Sequence, residues 1–238
     1  MRIHYLQHVS FENPGSILEW AKANNGLVTS TQLYNDEALP EVNEFDWLVV
    51  MGGPMNIYEE AQYPWLKAEK ELIKAAIEAN KVVLGMCLGS QLIADIIGGK
   101  VVQNKQKEIG WFPITFSKKT KTSPLFAFFP DHPVVFHWHG DTFVELPEAA
   151  TVIAASAACK NQAFVYRQRV FGFQFHLENT LPIIRDLIAN CGDEMIPGDY
   201  VQLPEEVLAH PEYILQDNQW MAAFLDQLKL LTEEGRIY

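Results

Sequence analysis

Short apolar runs alternate with longer amphipathic stretches in the first part of the chain, and this alternation restricts the fold more than any other feature. The apolar runs, which predict strands, occupy residues 3–7, 27–33, 46–51 and 81–84. The stretches with apolar side chains at helical spacing occupy residues 16–24, 64–80 and 88–97. Repeated strand–helix units of this kind predict an α/β fold, with a mostly parallel central sheet and helices on both faces.

The second part of the chain is richer in strands and ends in a helical segment. Strand-like runs occupy residues 111–117, 133–138, 151–155, 162–166 and 170–175, and a helix is predicted after residue 179. The final helical pattern has an apolar face formed by Trp220, Met221, Phe224, Leu225, Leu228 and Leu231. We predict one domain over residues 1–190 and a loop and helical extension over 191–238 that packs on it. The alternative is that this apolar face contacts a partner protein or a second copy of the chain.

Composition and charge exclude several classes of function. The formal net charge is -12, and phosphate binding needs clustered Lys and Arg, so nucleic acid is not expected as a partner. No apolar run approaches the roughly 20 residues that cross a bilayer, and the first residues lack the pattern of a leader, so no membrane association is expected. The cysteines Cys87, Cys159 and Cys191 are odd in number and widely spaced, which indicates free thiols in a reducing compartment. We therefore expect a cytoplasmic protein.

The sequence GMCLGSQ at residues 85–91 places Cys87 where a predicted strand turns sharply into a predicted helix. This arrangement is typical of a nucleophile elbow, with cysteine in place of serine. Unpaired N–H groups at the helix start favour a thiolate, and the N–H of Leu88 is placed to stabilise an oxyanion. A buried cysteine taken alone is more often a core residue, so this interpretation depends on finding the other catalytic groups.

A cysteine nucleophile needs a base, and His176 is the best placed of the 7 histidines. It follows a predicted strand, and Glu178 comes two positions later, on the same side of an extended chain. The Glu178 carboxylate can therefore orient the imidazole, as an aspartate does in serine hydrolases. The turn GGP at residues 52–54 ends another predicted strand and offers the N–H of Gly53 as a second oxyanion donor. Carboxyl ends of parallel strands share one edge of a sheet, so these groups are expected to meet.

The motifs GGP, GMCLGSQ and FQFHLE, in this order, resemble those of the class I glutamine amidotransferases, the triad glutaminases with a flavodoxin-like fold. The resemblance covers roughly the first three-quarters of the chain. It implies that Cys87 attacks the carboxamide of glutamine, that His176 is the base oriented by Glu178, and that Gly53 and Leu88 form the oxyanion hole. The segments KEIGW at 107–111 and WHGD at 138–141 resemble pocket segments of the GMP synthetase-like branch. The resemblance thus implies substrate-binding roles for Gln91, Glu108, Gly110, Trp138 and His139.

The chain departs from the family pattern in two places. Many members have His-Pro-Glu, whereas here Leu177 separates the histidine and the glutamate. No synthetase domain is recognised after the glutaminase region, so the likeness is to stand-alone amidotransferases whose ammonia acceptor is unassigned. We predict hydrolysis of L-glutamine to glutamate and ammonia. Two alternatives stay open: a γ-glutamyl peptidase or hydrolase with the same triad, and a binding or regulatory subunit whose glutaminase works only beside a synthetase partner or not at all. A synthetase partner or a homodimer is the assembly that we consider.

Neither a metal nor an organic cofactor is predicted. His137 and His139 lie two positions apart on a predicted strand, which can suit a metal, but no further Cys or His cluster joins them in the sequence. A pocket-lining or hydrogen-bonding role is therefore the prediction for both histidines. Cys159 and Cys191 lack the setting of Cys87 and are predicted to be structural.

Overall fold

The computed structural model describes residues 1–236, which form nine strands and six α-helices joined by loops and 3₁₀ turns. The strands are β1 Arg2–Gln7, β2 Leu27–Gln32, β3 Trp47–Val50, β4 Val82–Met86, β5 Lys100–Phe116, β6 Val134–Glu145, β7 Ala150–Ser156, β8 Ala163–Tyr166 and β9 Val170–Phe173. The helices are α1 Ser16–Ala23, α2 Trp65–Glu78, α3 Leu88–Ile96, α4 Leu181–Cys191, α5 Pro204–Leu208 and α6 Pro211–Glu233. Each predicted strand and helix is present, with ends that differ by a few residues except in β5 and β6.

The nine strands form a sheet in the order β2-β1-β3-β4-β9-β8-β7-β5-β6. The neighbours from β2 to β9 are parallel, and those from β9 to β6 are antiparallel. The crossover that inserts β9 beside β4 brings two distant parts of the chain together. The carboxyl ends of β3, β4 and β9 therefore lie next to one another.

Helices cover both faces of the parallel part of the sheet. Successive side chains of β3 pack in two different hydrophobic cores, because successive residues of a strand point to opposite faces of the sheet. Trp47 and Val49 pack in the core that includes residues of α1 and α6, whereas Leu48 and Val50 pack in the core that includes residues of α2 and α3. The predicted α/β class, with helices on both faces of a large central sheet, is confirmed.

The hairpin of β5 and β6 is longer than the sequence predicts. The predicted strands covered residues 111–117 and 133–138, but β5 begins at Lys100 and β6 continues to Glu145. Side chains in the early part of β5 are largely polar and exposed, so no apolar run marks them. The pairing register also shifts between Gln103 and Glu108, which breaks the alternation that would reveal a strand.

The C-terminal helix α6 packs against the same face of the sheet as α1. Five of the six predicted apolar residues of α6 are buried in the core with residues of β1, β3 and β4, and Trp220 is half-buried. The indole N–H of Trp20 on α1 also donates to Asp226 Oδ1 at 2.8 Å. The chain's own sheet therefore covers this apolar face within the described residues. The boundary at residue 190 stays a prediction, and residues 237 and 238 of the predicted extension lie outside the described residues.

None of the helices found in residues 1–236 combines the length and the apolar character that a membrane span requires.

Candidate active site

Three predicted catalytic segments follow three adjacent parallel strands. The Gly52-Gly53 turn comes after β3, Cys87 after β4, and His176 shortly after β9. Val50 pairs with Gly85, and Met86 pairs with Phe173, so these strands end at the same level. The parallel half of the sheet therefore gathers the predicted site residues at one edge, as the sequence suggests.

Cys87 occupies the turn between β4 and α3 with backbone angles φ 48° and ψ -107°. A residue with a side chain rarely adopts these angles, and such strain recurs at functional sites. Its two glycine neighbours make the turn possible by their lack of a side chain. A Cβ on Gly85 would lie 2.6 Å from the backbone of Gly89, and a Cβ on Gly89 would lie 2.1 Å from the carbonyl oxygen of Val50. The predicted elbow geometry is thus present at Cys87.

His176 and Glu178 form a buried hydrogen-bonded pair. Nδ1 of His176 lies 2.7 Å from Oε1 of Glu178, and Oε2 of Glu178 accepts the backbone N–H of Leu177 at 3.0 Å. Proline at position 177 would have no N–H to donate, so leucine supplies a restraint on the carboxylate that the common His-Pro-Glu pattern lacks. The N–H of His176 donates to the carbonyl of Phe136 at 2.8 Å, which ties the segment to β6 beyond the end of β9.

The thiol of Cys87 donates to the carbonyl of Trp138 at 3.4 Å and lies near enough to the imidazole of His176 for each group to affect the pKa of the other. The environments of both groups move their pKa values upward. Burial raises the pKa of the Cys87 thiol, although His176 and the N–H of Leu88 act in the opposite direction. Burial would lower the pKa of His176, but the Glu178 carboxylate and Cys87 together outweigh burial, so the pKa of His176 lies well above its usual value. The helix start therefore does not by itself produce the thiolate expected from the sequence, because the site is dry. Burial thus favours the protonated thiol, whereas Glu178 makes His176 a better acceptor for the thiol proton.

Two backbone N–H groups beside Cys87 are not used by the backbone hydrogen bonds of the described residues. Among the described residues, no backbone carbonyl accepts the N–H of Gly53 or the N–H of Leu88. Gly53 borders the cavity next to Cys87, and Leu88 is the first residue of α3. Donors in these positions match an oxyanion hole, which needs N–H groups aimed at the oxygen of the reacting carbonyl.

A cavity of about 230 Å³ opens beside the Cys87 thiol. Three of the predicted substrate-binding residues, Gln91, Trp138 and His139, line it. The complete lining consists of Gly53, Pro54, Met55, Cys87, Gln91, Gln103, Lys107, Trp138, His139, Gly140, Asp141 and Glu194. The ammonium of Lys107 lies 2.6 Å from the carboxylate of Glu194, so the segment after α4 contributes to the cavity wall. This polar cavity with charges of both signs suits a small zwitterion.

The structure places the other two predicted substrate-binding residues behind the cavity wall. The carboxylate of Glu108 is fully buried and lies 3.1 Å from Nε2 of His139, where it holds that ring against the cavity. Gly110 has φ 118°, and a Cβ there would lie 2.3 Å from the side chain of Gln202. Glu108 thus acts on the cavity through His139, and Gly110 accommodates the C-terminal segment.

Comparison with known proteins agrees with this geometry. The family model "Glutamine amidotransferase class-I" matches residues 18–191. The chain belongs to this family. It is 38% identical over 237 residues to the glutamine amidotransferase-like protein YfeJ of Salmonella typhimurium, a match that covers 97% of this chain and 98% of YfeJ. The crystal structure of a glutamine amidotransferase from Thermotoga maritima superposes with a TM-score of 0.85 at 30% identity, covering 96% of this chain and 97% of that one.

GMP synthases are further relatives of this class I amidotransferase. One subunit of the glutamine-hydrolysing GMP synthase of Thermoplasma acidophilum is 32% identical over 203 residues, covering 81% of this chain and 92% of that subunit. The GMP synthase of Bacillus pumilus is 36% identical over 132 residues, but the match covers 55% of this chain and only 24% of that enzyme. The predicted resemblance to the GMP synthetase-like branch is therefore confirmed.

The amidotransferase site also contains two residues that the sequence analysis missed, His8 and Glu12. Both follow β1, another parallel strand that ends at the same edge, and this position was the signal that could have found them. Glu12 and the predicted structural residue Cys191 line a second cavity of about 20 Å³ that also borders Cys87. Burial raises the pKa of Glu12 to about 7, while His176 and His8 act to lower it. A carboxyl group that titrates near neutrality thus lies next to the predicted triad.

One buried cluster of the described residues has the composition of a metal site. Glu108, His137 and His139 each offer a ligand atom, and these atoms lie within 4.8 Å of one another. The Glu108 carboxylate already accepts hydrogen bonds from Ser156 at 2.7 Å and from Gln162 at 2.7 Å. Burial lowers the pKa of His137 to about 4, so this ring is neutral at physiological pH. Nε2 of His139 lies 3.1 Å from Glu108 and Nε2 of His137 lies 3.3 Å from the carbonyl oxygen of Phe112, so each ring has one hydrogen-bond contact of the predicted kind.

Proposed function

We propose that this protein hydrolyses the side-chain amide of L-glutamine through a thioester on Cys87, releasing ammonia and glutamate. The observation that carries the proposal is the convergence of Cys87, His176 and Glu178 beside a polar cavity. A buried nucleophile, a base close to it and a carboxylate that orients the base are the elements of acyl transfer by a covalent route.

In the first half-reaction, Sγ of Cys87 attacks the amide carbon of glutamine while His176 takes the thiol proton. His176 then gives this proton to the amide nitrogen, the C–N bond breaks, and ammonia leaves. The Glu178 carboxylate stabilises the imidazolium that forms between these two transfers. It also fixes the tautomer, since its 2.7 Å hydrogen bond holds the proton on Nδ1 and leaves Nε2 to exchange protons with sulfur.

In the second half-reaction, water attacks the γ-glutamyl thioester. His176 takes a proton from the water and returns it to sulfur as the C–S bond breaks and glutamate is released. Both half-reactions place negative charge on the former carbonyl oxygen, where the N–H groups of Gly53 and Leu88 donate. Removing one such donor from an enzyme of this type typically costs about 10² to 10³ in rate.

Charged side chains in the 230 Å³ cavity support an amino acid as the substrate. Lys107 offers a cation to the α-carboxylate of a glutamyl group, and Asp141 and Glu194 offer carboxylates to its α-ammonium. Gln91 is held in the wall by hydrogen bonds from its amide to the Asp141 carbonyl at 3.2 Å and to Gln174 Oε1 at 3.1 Å. Its amide oxygen can therefore face the substrate in a fixed orientation.

The small cavity beside Glu12 favours glutamine over a γ-glutamyl peptide. The two substrates share the glutamyl group and differ in the leaving group, which is ammonia for glutamine and an amino acid or peptide for the alternative. A cavity of about 20 Å³ can hold one water-sized molecule but no amino acid. Ammonia or the attacking water fits this space next to Cys87.

A synthetase partner as ammonia acceptor is the further part of the proposal. It is supported by the Thermoplasma acidophilum relative, whose name describes one subunit of a GMP synthase and so implies at least one other. The acceptor of this chain is not identified by that likeness. Hydrolysis without a partner is the simpler expectation, since the groups that the chemistry requires are assembled within the one chain.

The decisive experiment measures ammonia and glutamate release from L-glutamine by the isolated protein, with the Cys87→Ala variant as control. We expect release by the natural protein and none by the variant. γ-Glutamylglycine is tested in parallel and is expected to react at least about tenfold more slowly, because its leaving group exceeds the small cavity. Faster hydrolysis of γ-glutamylglycine would instead identify a peptidase. Folded protein that is inactive on both substrates would contradict the self-sufficient glutaminase and favour partner dependence.

A further inference from the structure

A buried pair of charged residues behind the Gly52-Gly53 turn is not used by the proposed reaction. His8 lies after β1 and Glu69 lies on α2, and the side chains of both are 0% exposed. Nε2 of His8 lies 2.8 Å from Oε1 of Glu69. Burying two opposite charges costs several kcal/mol of desolvation per ion and rarely stabilises a fold better than apolar packing would. The pair therefore calls for an explanation other than stability.

The second ring nitrogen of His8 contacts the backbone of the predicted oxyanion turn. Nδ1 lies 2.9 Å from the carbonyl oxygen of Gly52. A carbonyl oxygen can only accept, so this nitrogen carries a proton, and the nitrogen facing the Glu69 carboxylate carries the other. Burial would lower the pKa of His8, but Glu69 outweighs it and the pKa is raised, as this doubly protonated state requires.

The contact with the Gly52 oxygen also determines where the N–H of Gly53 points. These two groups belong to the same planar trans peptide, in which the C=O and the N–H point in opposite directions. A bond from His8 to the oxygen therefore turns the N–H of Gly53 away from His8. Gly53 borders both cavities next to Cys87, and its N–H has no backbone acceptor among the described residues.

A peptide between two glycines needs such an external restraint. Glycine allows more backbone rotation than any other residue, so the Gly52-Gly53 peptide can flip at small cost. A Cβ on Gly52 would lie 2.3 Å from Oε2 of Glu12 and a Cβ on Gly53 would lie 2.6 Å from the sulfur of Met55, so a side chain at either position would displace groups that border Cys87. The two glycines leave these groups in place, and a contact from outside must restrain the peptide between them.

We propose that His8 and Glu69 are a positioning pair that holds the Gly52-Gly53 peptide in the orientation that donates the Gly53 N–H to the reaction's oxyanion. The inference rests on the proposed glutaminase function. His8 supplies the donor to Gly52, and Glu69 holds the ring in place and keeps it charged. Neither side chain touches the substrate.

Two conservative variants separate the two contacts of His8. The amide nitrogen of asparagine overlays Nδ1 of histidine and can still donate to Gly52, whereas the amide nitrogen of glutamine overlays Nε2 and can reach only Glu69. Both variants place one polar amide in the same buried position. His8→Asn should retain most activity, and His8→Gln should lose roughly 10²-fold in kcat with little change in KM. The control is His4→Gln, since His4 is a buried histidine of β1 that bonds Thr29 and Thr31 at 2.8 and 3.1 Å.

A second readout isolates the oxyanion hole from the nucleophile. The γ-aldehyde analogue of glutamine adds to the Cys87 thiol and places an oxyanion in the hole, whereas alkylation by iodoacetamide needs only the thiolate. In His8→Gln, aldehyde affinity should fall by about the same factor as kcat, while the alkylation rate stays within about twofold. Circular dichroism and thermal unfolding establish that each variant is folded.

Different results distinguish the failure of this inference from the failure of the proposed function. Natural protein that neither hydrolyses glutamine nor binds the aldehyde would contradict the function itself. An active natural protein with equal losses in His8→Asn and His8→Gln would overturn the positioning role. So would a His8→Gln variant whose aldehyde affinity is unchanged, or a His4→Gln variant with the same selective loss.

Discussion

The side-chain amide of Asn218, on the C-terminal helix, donates to the carbonyl of Leu177 at 3.0 Å. It also donates to the carbonyl of Asn179 at 2.9 Å, so one amide bridges the two residues that flank Glu178. Asp217, its neighbour on α6, accepts the N–H of Phe136 at 3.1 Å. Phe136 in turn accepts the N–H of His176 at 2.8 Å. Helix α6 therefore holds the backbone around Glu178 directly, through Asn218, and the backbone of His176 indirectly, through Asp217 and Phe136.

Replacing Asn218 with Ala should lower both stability and rate. Loss of the amide leaves two backbone carbonyls without their donor, which costs about 1 to 3 kcal/mol of unfolding free energy. The turn that carries Glu178 should also loosen, so we expect kcat to fall about tenfold. Urea unfolding and glutamine hydrolysis measure the two effects. Asn190→Ala is the matched control, because Asn190 is exposed and bonds a carbonyl within its own helix. If Asn218→Ala is less stable but has an unchanged kcat, the contacts of Asn218 contribute to stability and not to catalysis.

A glutamine-like chloroketone should label Cys87 in preference to Cys159 and Cys191. The three thiols are all buried, so accessibility alone does not distinguish them. Burial and nearby carboxylates raise the pKa of Cys191 to about 11, and burial raises the pKa of Cys159, but neither has a base such as His176 beside it. Peptide mapping after limited labelling gives the distribution. Comparable labelling of Cys191, which borders the small cavity, would contradict the assignment of the nucleophile.

Changing Glu178 to Gln should reduce the rate less than changing His176 to Ala. Glu178 accepts hydrogen bonds with both of its oxygens, whereas a glutamine side chain has one oxygen and must direct its NH₂ at a donor. We expect a loss of about 10²-fold or more for Glu178→Gln, with a larger loss for His176→Ala. The pKa of His176 should fall in Glu178→Gln, because the carboxylate that raises it is gone.

The pH profile of Cys87 alkylation reports this change in the pKa of His176. The acidic limb of this profile should lie at lower pH in Glu178→Gln than in the natural protein. If the two profiles coincide, Glu178 does not control the protonation of His176, and the predicted triad loses its third member.

The stability of the fold should fall as pH rises through the range in which Glu12 titrates. Burial raises its pKa from 4.5 to about 7 in the folded state. Between these values the folded protein binds the proton more tightly than the unfolded chain does, so folding is favoured at low pH and loses this contribution as pH rises. The full difference is at most about 3 kcal/mol.

Comparison with Glu12→Gln isolates this contribution from the other buried groups. His8, His176, Glu178 and Glu194 all act on Glu12 and are present in both proteins, so their own effects on stability largely cancel in the difference. Urea unfolding at pH 5 and pH 8 should give a smaller pH effect in the variant. Equal effects in the two proteins would show that Glu12 is not held in its protonated form.

The parts of the fold that were predictable are those encoded locally. The βα units up to α3 each have an apolar run or a helical pattern, and the three motifs at strand ends located Cys87, His176 and Gly53. The polar arm of β5 was missed because its residues pair with β6 without a buried face. Its strand character comes from the partner strand and not from its own sequence.

The supporting residues of the site could not be predicted from sequence spacing. His8 and Glu69 meet across 61 positions, and Asn218 reaches Leu177 across 41. Neither pair belongs to a motif, since each depends on how separate helices pack on the sheet. The sequence shows the groups at strand ends but not the residues that hold them in place. That the predicted extension reaches the site follows from the contacts of residues such as Asn218, Asp217 and Glu194.

The backbone of Cys87 has φ 48°, so the residue that the proposed reaction needs is also one that lowers the stability of the fold. Glycine accepts this conformation without strain, whereas any residue with a Cβ stores about 1 to 3 kcal/mol there. Cys87→Gly should therefore unfold at a higher temperature than Cys87→Ala, even though both lack the thiol. Selection of a protein library for thermal stability alone is therefore expected to replace the predicted nucleophile Cys87 with glycine. Such a selection needs an activity assay beside the stability assay.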